Sequence, residues 1–278
     1  STREHTTLMN TVEGFFAVGA IVGPGLVAFL LTAGISWKYL YVAASAICGL
    51  LILAALLARY PANSETPASQ SSFSQTMLLL KNPYALGFSL LIMFYVAVEV
   101  AIYVWMPTWL QDYKGPTPWL AIYALTIFFV LRAAGRFIGV WLMHKLRWDT
   151  VLCVMSGAIL LCFAGSLIAG PALAVWLLPL SGLFMSVVYP TLNSKGISCF
   201  PKHEHGAVAG LILFFTALAA AIGPLAMAAV SDALGNIRYG FVLATGFALF
   251  LFAGLLFNRI RMPAAARLSA YEVSGAAK

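Results

Sequence analysis

The sequence predicts an all-α polytopic membrane protein with eight transmembrane helices. Three observations support this class: 62% of the 278 residues are hydrophobic, only 9% are charged, and the mean hydropathy is +0.93. Soluble domains carry about 25% charged residues, so this chain lacks the polar surface that a water-soluble core needs. The composition therefore excludes a cytosolic enzyme, a nucleic-acid-binding protein and a disordered chain.

Eight apolar segments are each long enough to cross a bilayer, which takes about 20 apolar residues in a helix. None has the two-residue alternation of a membrane β-strand, so a helical bundle is predicted. The predicted spans are residues 14–33, 37–58, 84–110, 119–143, 150–169, 172–193, 206–230 and 239–258.

A polar connection separates the second predicted span from the third. It is rich in Pro, Ser, Asn and Gln, whereas the other connections are short. This composition is typical of an inter-domain linker. We therefore predict the last two helices of an N-terminal bundle in residues 1–58, a cytoplasmic linker in 59–83, a complete six-helix C-terminal bundle in 84–258, and a cytoplasmic tail in 259–278.

The basic residues are distributed unevenly between the two sides of the predicted bundle. With the N-terminus in the cytoplasm, thirteen of the sixteen Lys and Arg residues lie inside or in the inner halves of spans, and Lys38, Lys114 and Arg238 lie outside. This asymmetry follows the positive-inside rule and explains the net charge of +7 without a nucleic-acid partner. We predict a multi-pass protein of the inner cell membrane with both termini cytoplasmic.

Two predicted spans contain similar Gly-Pro segments. Residues 19–24 read GAIVGP in the first span, and residues 219–224 read AAAIGP in the seventh. Equivalent helices six spans apart suggest a parallel repeat of two six-helix halves. The first span would then be the fifth helix of an original twelve.

Further motifs occur in an order typical of one transporter family. They are Asn10-x-x-Glu13-Gly14-Phe15-Phe16, Glu99-Val-Ala-Ile-Tyr-Val-Trp105-Met-Pro107-Thr108, Gly135-Arg136-x-x-Gly139 and Tyr189-Pro190-Thr191. Together with the Gly-Pro segments, they resemble the last eight of the twelve helices of major facilitator superfamily transporters, in particular the fucose permease-like sugar:proton symporters. The resemblance implies a partial major facilitator fold. It also implies secondary transport of a sugar or related polyol by alternating access, with proton coupling.

Glu99 is the most informative side chain of the predicted bundle. It lies near the middle of the third span, where an ionised acid costs about 2.5–3.5 kcal/mol on insertion scales, so it should face the bundle interior or a water-filled cavity. Tyr95, Glu99 and Tyr103 are four residues apart and share one helix face. We predict that this face binds the solute and hypothesise that Glu99 binds and releases the coupled proton. The alternative is that Glu99 pairs with a buried basic residue and only locks the helix packing.

Four more polar residues are predicted to line the solute pathway. Tyr189 and Asn193 lie on the sixth span near Pro190, which favours a bend because it lacks a backbone donor. That Tyr189 and Asn193 face the substrate is mainly what the resemblance implies. The alternative is that the bend at Pro190 is only tolerated for helix packing. Asn10 and Glu13 open the first span, where a helix N-terminus alone also favours an acid.

Arg132 and Arg136 are predicted to take part in a cytoplasmic gate. They lie one turn apart toward the cytoplasmic end of the fourth span, and like charges at this spacing repel unless an anion is near. The alternative is that both side chains extend to lipid headgroups.

Enzyme signatures are missing from the sequence. It contains no HExxH motif, no Walker lysine motif, and no Ser, His and Asp set at one predicted depth. The segment Lys202-His203-Glu204-His205 has too few ligands nearby for a metal site. We therefore expect no catalytic residues, cofactor or metal; the expected partners are a small-molecule solute and the lipid bilayer, and a monomer is favoured.

The predicted function is secondary active transport of a small polar solute. The alternative is a membrane scaffold or sensor that does not transport, or an inactive truncated transporter. If the native gene encodes four more spans before Ser1, the transporter prediction stands. If it does not, we expect this chain alone to form no closed pathway and to take up no sugar.

Overall fold

The computed structural model describes residues 18–36, 38–58, 78–264 and 267–268, without the side chain of Val140. Regular secondary structure in these ranges is helical throughout, which confirms the predicted all-α class for the described residues. The chain divides into two compact units, Ser1–Gln70 and Ser71–Lys278. The division falls within the predicted linker, while the finer domain limits drawn from the sequence stay predictions.

The described part of the first unit contains two helices, α1 (Val18–Thr32) and α2 (Lys38–Leu57). Helix α1 ends at a turn in which the Thr32 hydroxyl bonds to the carbonyls of Ala28 and Phe29 at 3.0 and 2.8 Å. Gly34 follows with φ +72°, a backbone conformation that glycine adopts without a Cβ clash. This turn thus ends α1 without leaving the Thr32 hydroxyl unsatisfied.

The second unit is a bundle of six spans. Its helices are α3 (Pro83–Leu110), α4 (Pro118–Ile122), α5 (Ala124–Lys145), α6 (Trp148–Ala169), α7 (Pro171–Met185), α8 (Val188–Ser198), α9 (His205–Ala233) and α10 (Ile237–Arg261). Counting α7 and α8 as one interrupted span, and including α2, seven helices in the described ranges are long and apolar enough to cross a membrane.

Local sequence signals set the helix starts. Asn82 accepts a hydrogen bond from the Tyr84 amide at 3.0 Å, and Pro83 occupies the first turn of α3, where its missing N–H costs nothing. Asn236 caps α10 in the same way, through the Arg238 amide at 2.8 Å. Such caps satisfy backbone donors that have no partner within the helix itself.

Two predicted spans are interrupted in the structure. The fourth, predicted as continuous over 119–143, begins with the short helix α4, and α5 starts at Ala124. The sixth, predicted over 172–193, breaks at residues 186–187 and continues as α8 to Ser198. The break lies four residues before Pro190 because a proline cannot donate to the carbonyl four residues earlier and its ring clashes with that carbonyl.

Helix α3 lies at the centre of the bundle, packed against α9, α10 and α8. Helix α7 packs between α5 and α6, and α6 also packs against α10. Glycines allow the close approaches. A Cβ on Gly135 would overlap the Leu183 carbonyl and lie 2.7 Å from Ser186 Oγ, and a Cβ on Gly182 would overlap the Phe128 carbonyl. The α5–α7 contact is therefore a backbone-to-backbone contact beside the break between α7 and α8.

Candidate solute and proton site

The candidate site is a cluster of polar side chains between α3 and α5. Tyr95, Glu99 and Tyr103 lie on one face of α3, as the four-residue spacing predicts, and Arg132 comes from α5. Tyr95 is fully buried and Glu99 is 8% exposed. The cluster thus places an acid, a base and two phenols inside an otherwise apolar bundle.

Glu99 and Arg132 form an ion pair. Arg132 Nη1 contacts both Glu99 Oε1 and the Tyr103 hydroxyl, and that hydroxyl in turn donates to Glu99 Oε1. Arg132 Nη2 lies 3.4 Å from the Tyr95 hydroxyl. The two charges are therefore held inside a closed set of hydrogen bonds, as buried charges require.

Tyr95 connects this cluster to the break between α7 and α8. Its hydroxyl donates to the carbonyl of Met185, the last residue of α7, at 3.0 Å. Its ring lies 6.2 Å from the Tyr189 ring on α8. A single buried side chain therefore contacts the charged cluster, the end of one helix and the start of the next.

Aromatic rings enclose the other side of the cluster. The Tyr103 ring stacks on Phe129 at 5.3 Å and meets the edge of Phe128 at 5.9 Å. These apolar neighbours lower the local dielectric, which strengthens the Glu99–Arg132 attraction and raises the cost of leaving either charge alone.

The remaining predicted site residues lie on α8, on α5 and outside the described residues. Tyr189 and Asn193 are both half-buried on α8, one turn apart. Arg136 is half-buried on α5, close enough for its charge to act on Tyr95. Asn10 and Glu13 lie outside the described residues.

Arg132, predicted from the sequence to belong to a cytoplasmic gate, lies in the Glu99 cluster. A gate role for Arg132 and Arg136 stays a prediction. The sequence did contain a signal for the pairing, since opposite charges occur within two consecutive predicted spans. It contained no signal that the Met185 carbonyl would be the partner of Tyr95.

A second cluster joins the end of the described chain to the loop after α8. Arg267 Nε donates to the Cys199 carbonyl at 2.8 Å, and its guanidinium lies 4.5 Å from the Tyr84 ring and 5.1 Å from the Phe200 ring. Burial raises the pKa of the Cys199 thiol to about 11, although the nearby charge of Arg267 acts in the opposite direction. Cys199, Phe200 and Arg267 lie outside the membrane-spanning helices, and Tyr84 is the second residue of α3.

The segment Lys202–Glu204 forms a 3₁₀ turn before α9. His203 and Glu204 lie 3.6 Å apart with side chains 75% and 39% exposed, and His205 Nε2 bonds to the Phe200 carbonyl at 2.9 Å. In the described ranges, no three His, Cys, Asp or Glu side chains converge in a way that could hold a metal ion.

Comparison with known proteins identifies related transporters. Residues 1–224 match the family model of the Major Facilitator Superfamily. The chain is 30% identical over 203 residues to the L-fucose-proton symporter of Escherichia coli K12, covering 71% of this chain and 46% of that protein. It is 28% identical over 163 residues to the hexuronate transporter of Bacillus subtilis 168, covering 52% of this chain and 37% of that protein. The chain therefore spans less than half the length of these relatives. Both relatives are transporters rather than enzymes.

Solved structures agree with these matches. The crystal structure of FucP, a Major Facilitator Superfamily transporter, in the outward conformation covers 79% of this chain with a TM-score of 0.61 and 26% identity, over 54% of its own length. A variant of the E. coli fucose:proton symporter covers 87% with a TM-score of 0.63 and 24% identity, over 65% of its own length. The second match bears on the fold alone.

Proposed function

We propose that this chain, which belongs to the Major Facilitator Superfamily, forms part of a proton-coupled secondary transporter for a small polar solute of the sugar class. The observation that carries the proposal is the Glu99–Arg132 ion pair, enclosed by Tyr95 and Tyr103 inside the apolar bundle. Ionisable groups at such depth are costly, and they mark substrate or proton pathways in membrane proteins.

Glu99 is the proposed carrier of the coupled proton. Among the acids described in the helices of the second unit, Asp149 lies in the first turn of α6 and Asp232 in the last turn of α9, whereas Glu99 lies in the middle of α3. Asp149 is also held by Arg147 through two hydrogen bonds of 3.2 and 2.8 Å. Glu99 is therefore the described acid best positioned to exchange a proton within the bundle.

Four polar side chains would hold the solute around this acid. The phenols of Tyr95 and Tyr103 can donate to or accept from sugar hydroxyls, and Tyr189 and Asn193 would extend the polar lining along α8. Asn10 and Glu13 remain proposed pathway residues of the first span. Arg136 remains a proposed element of the cytoplasmic gate.

Tyr95 would couple the occupancy of the cluster to helix movement. Its hydroxyl holds the Met185 carbonyl at the break between α7 and α8, where the helical hydrogen-bond ladder stops. Substrate and ion sites of transporters are typically formed by such interrupted helices. A change in the charge or contacts of Glu99 would thus reach the end of α7 through two intervening side chains, Arg132 and Tyr95.

The proposal includes the orientation inferred from the basic residues, with both chain termini in the cytoplasm of the cell. It also includes the assignment of 84–258 to a C-terminal six-helix bundle and 59–83 to a cytoplasmic linker.

Uptake by proteoliposomes tests the function. The complete gene product that includes this chain is reconstituted, and accumulation of labelled L-fucose, D-galactose and D-galacturonate is measured under an inward proton gradient. We expect at least one of these solutes to accumulate above its external concentration, and a protonophore but not the removal of sodium should abolish this accumulation. Uptake no greater than in empty liposomes for all three solutes would refute the transporter function and favour a scaffold or sensor.

A further inference from the structure

We propose that a groove between α3 and α10 binds one anionic phospholipid. An acyl chain lies along the apolar length of the groove, and the headgroup lies where α3 begins and α10 ends. The groove contains none of the residues of the Glu99 cluster, so this site is separate from the proposed solute pathway.

The groove is a cavity of about 430 Å³ at the surface of the second unit. Helix α3 lines it from Pro83 to Phe94, and α10 lines it from Phe250 to Asn258, with Leu192 added from α8. The volume falls within the range of about 300–1,000 Å³ that is usual for ligand pockets. At a rise of about 1.5 Å per residue, the α3 side of the groove is about 16 Å long. The site is therefore long and narrow, as an extended acyl chain requires.

Gly87 leaves space within the groove. A Cβ added to Gly87 would meet no atom within 4 Å, although the residue lines the cavity. At the end of the groove far from the helix termini, the Phe94 ring stacks on the Phe250 ring at 5.4 Å. The described side chains of this unit thus bound the cavity at one end and leave it unfilled beside Gly87.

The polar groups of the groove are all at one end. Of the described residues that line it, only Tyr84 and Asn258 carry polar side chains, and they lie near the start of α3 and the end of α10. The chain turns at Met262, with φ +53°, and the Ala264 amide donates to Asn258 Oδ1 at 3.4 Å. The groove therefore changes from apolar to polar along its length, as a phospholipid does from its acyl chain to its headgroup. Tyrosine is also enriched at the headgroup level of membrane proteins.

The polar end of the groove is positively charged. The described parts of 78–94, 188–198 and 250–268, which line or adjoin the groove, contain no acidic residue and five basic ones: Lys81, Lys195, Arg259, Arg261 and Arg267. The Arg267 guanidinium lies 4.5 Å from the ring of Tyr84, and Lys81 is exposed two residues before Pro83. Basic residues at a membrane surface attract anionic lipids, by about fivefold in affinity for each side chain. This charge favours an anionic headgroup over a zwitterionic one with the same phosphate.

A lipid can reach the groove from within the bilayer. Phe250 and Phe257, which line it, are 60% and 61% exposed on helices long and apolar enough to span a membrane. The alternative occupant is the end of the chain, because the described residues stop at Leu268 close to this site. Residues 269–278 read SAYEVSGAAK and contain no Leu, Ile, Met or Phe to fill an apolar groove. Their Glu272 would compete with a lipid headgroup only at the basic end.

The test measures phospholipid binding to the complete gene product in detergent micelles by native mass spectrometry. The probes are dioleoylphosphatidylglycerol and dioleoylphosphatidylcholine, which share their acyl chains and differ in net charge. In one variant, Gly87→Leu, the new side chain occupies the groove. In another, Lys81→Gln, a charge is removed from its polar end.

Two variants serve as matched controls. Gly210→Leu is the sixth residue of α9, as Gly87 is the fifth of α3, and an added Cβ at Gly210 also meets no atom within 4 Å. Lys145→Gln removes an exposed charge at the end of α5, a helix that does not line the groove.

We expect the wild type to bind its first phosphatidylglycerol at least about tenfold more tightly than its first phosphatidylcholine, because at least two basic side chains adjoin the headgroup. Gly87→Leu should lose this tight binding, and Lys81→Gln should reduce the preference about fivefold. Gly210→Leu and Lys145→Gln should match the wild type. An excess of sn-glycerol 3-phosphate should displace no phosphatidylglycerol, because it has the phosphate without the chain.

Other results overturn the proposal, and the comparison of the two lipids on the wild type decides even if a variant fails to fold. Equal affinities for the two lipids would refute an anionic headgroup site. Tight binding that persists in Gly87→Leu would place the lipid outside the groove, and displacement by sn-glycerol 3-phosphate would show a phosphate site alone. A version ending at Leu268 that binds phosphatidylglycerol more than about tenfold more tightly than the full chain would identify residues 269–278 as the occupant. All of these results leave the proposed transport function standing.

Discussion

Arg132 on α5 and Glu99 on α3 form an ion pair inside the second unit, with side chains 16% and 11% exposed. Thirty-three residues separate the two positions along the chain. The pair joins two consecutive spans at the point where Tyr95 also contacts the end of α7. Its energetics therefore bear on both the stability of the bundle and the proposed transport cycle.

Removal of one partner of this pair should destabilise the bundle. Arg132→Gln leaves the Glu99 charge buried without a cation, and we expect the free energy of unfolding to fall by about 3 kcal/mol. The double variant Glu99→Gln with Arg132→Gln removes both charges and should cost less than Arg132→Gln alone. Unfolding in mixed micelles is measured for the wild type, Glu99→Gln, Arg132→Gln and the double variant, with Arg261→Gln as the exposed control. Additive losses in the double variant would contradict a direct pair.

Gly135→Ala should destabilise the contact between α5 and α7. The added Cβ would overlap the Leu183 carbonyl, which is backbone and cannot rotate away. We expect a loss of about 2 kcal/mol, as is typical when a packed contact is overfilled.

Gly246→Ala on α10 is the matched control, because no atom lies within 4 Å of its added Cβ. It should leave stability unchanged or raise it by up to about 1 kcal/mol through helix propensity. Equal losses at the two positions would show that the α5–α7 approach is not as close as described.

Tyr95→Phe should slow transport more than it weakens solute binding. The change removes the 3.0 Å hydrogen bond to the Met185 carbonyl but keeps the ring, which packs near Tyr189. We expect a stability loss of about 1 kcal/mol and a fall of several fold in the uptake rate. Uptake rates and dissociation constants measured on the same preparation separate the two effects. An unchanged uptake rate would disconnect Tyr95 from the helix movement.

Cys199 should react slowly with maleimides and with a steep pH dependence. Its thiol has a pKa of about 11 because it is buried, and only the thiolate reacts. Between pH 7 and 9 the rate should rise about 100-fold, whereas a thiol with an ordinary pKa of about 8.5 would rise only about 25-fold. The rate is measured in a variant whose other cysteines, including Cys48, Cys153 and Cys162, are replaced by alanine. A rate that levels off by pH 9 would contradict the burial of this thiol.

The sequence predicts the features of this protein that depend on a single helix. The positions of the spans follow from apolar runs, and the shared face of Tyr95, Glu99 and Tyr103 follows from their spacing of four. The bend in the sixth span follows from Pro190, because the loss of a backbone donor acts at a fixed distance along the same helix. Each of these features follows from the sequence of one helix, whatever the packing of that helix against its neighbours.

Features that depend on how two helices are rotated against each other were not predictable in this way. Arg132 lies against Glu99 because α5 turns that side chain toward α3, and periodicity within α5 alone does not reveal the direction. The extension of the sixth span to Ser198 was missed for a related reason. The polar residues of its last turns reduce the apolar signal, although α8 continues as a helix with Leu192 and Gly196 buried.

The most direct test of the account measures the proton flux that accompanies the solute. Proteoliposomes containing the complete gene product and an internal pH dye receive a transported solute from outside, and the acidification inside is recorded for the wild type, Glu99→Gln and Asp112→Asn. Asp112 is an exposed acid after the end of α3 and serves as the control. The account predicts that Glu99→Gln abolishes solute-driven acidification but still exchanges labelled for unlabelled solute, while Asp112→Asn behaves like the wild type. Undiminished acidification in Glu99→Gln would show that the coupled proton travels elsewhere.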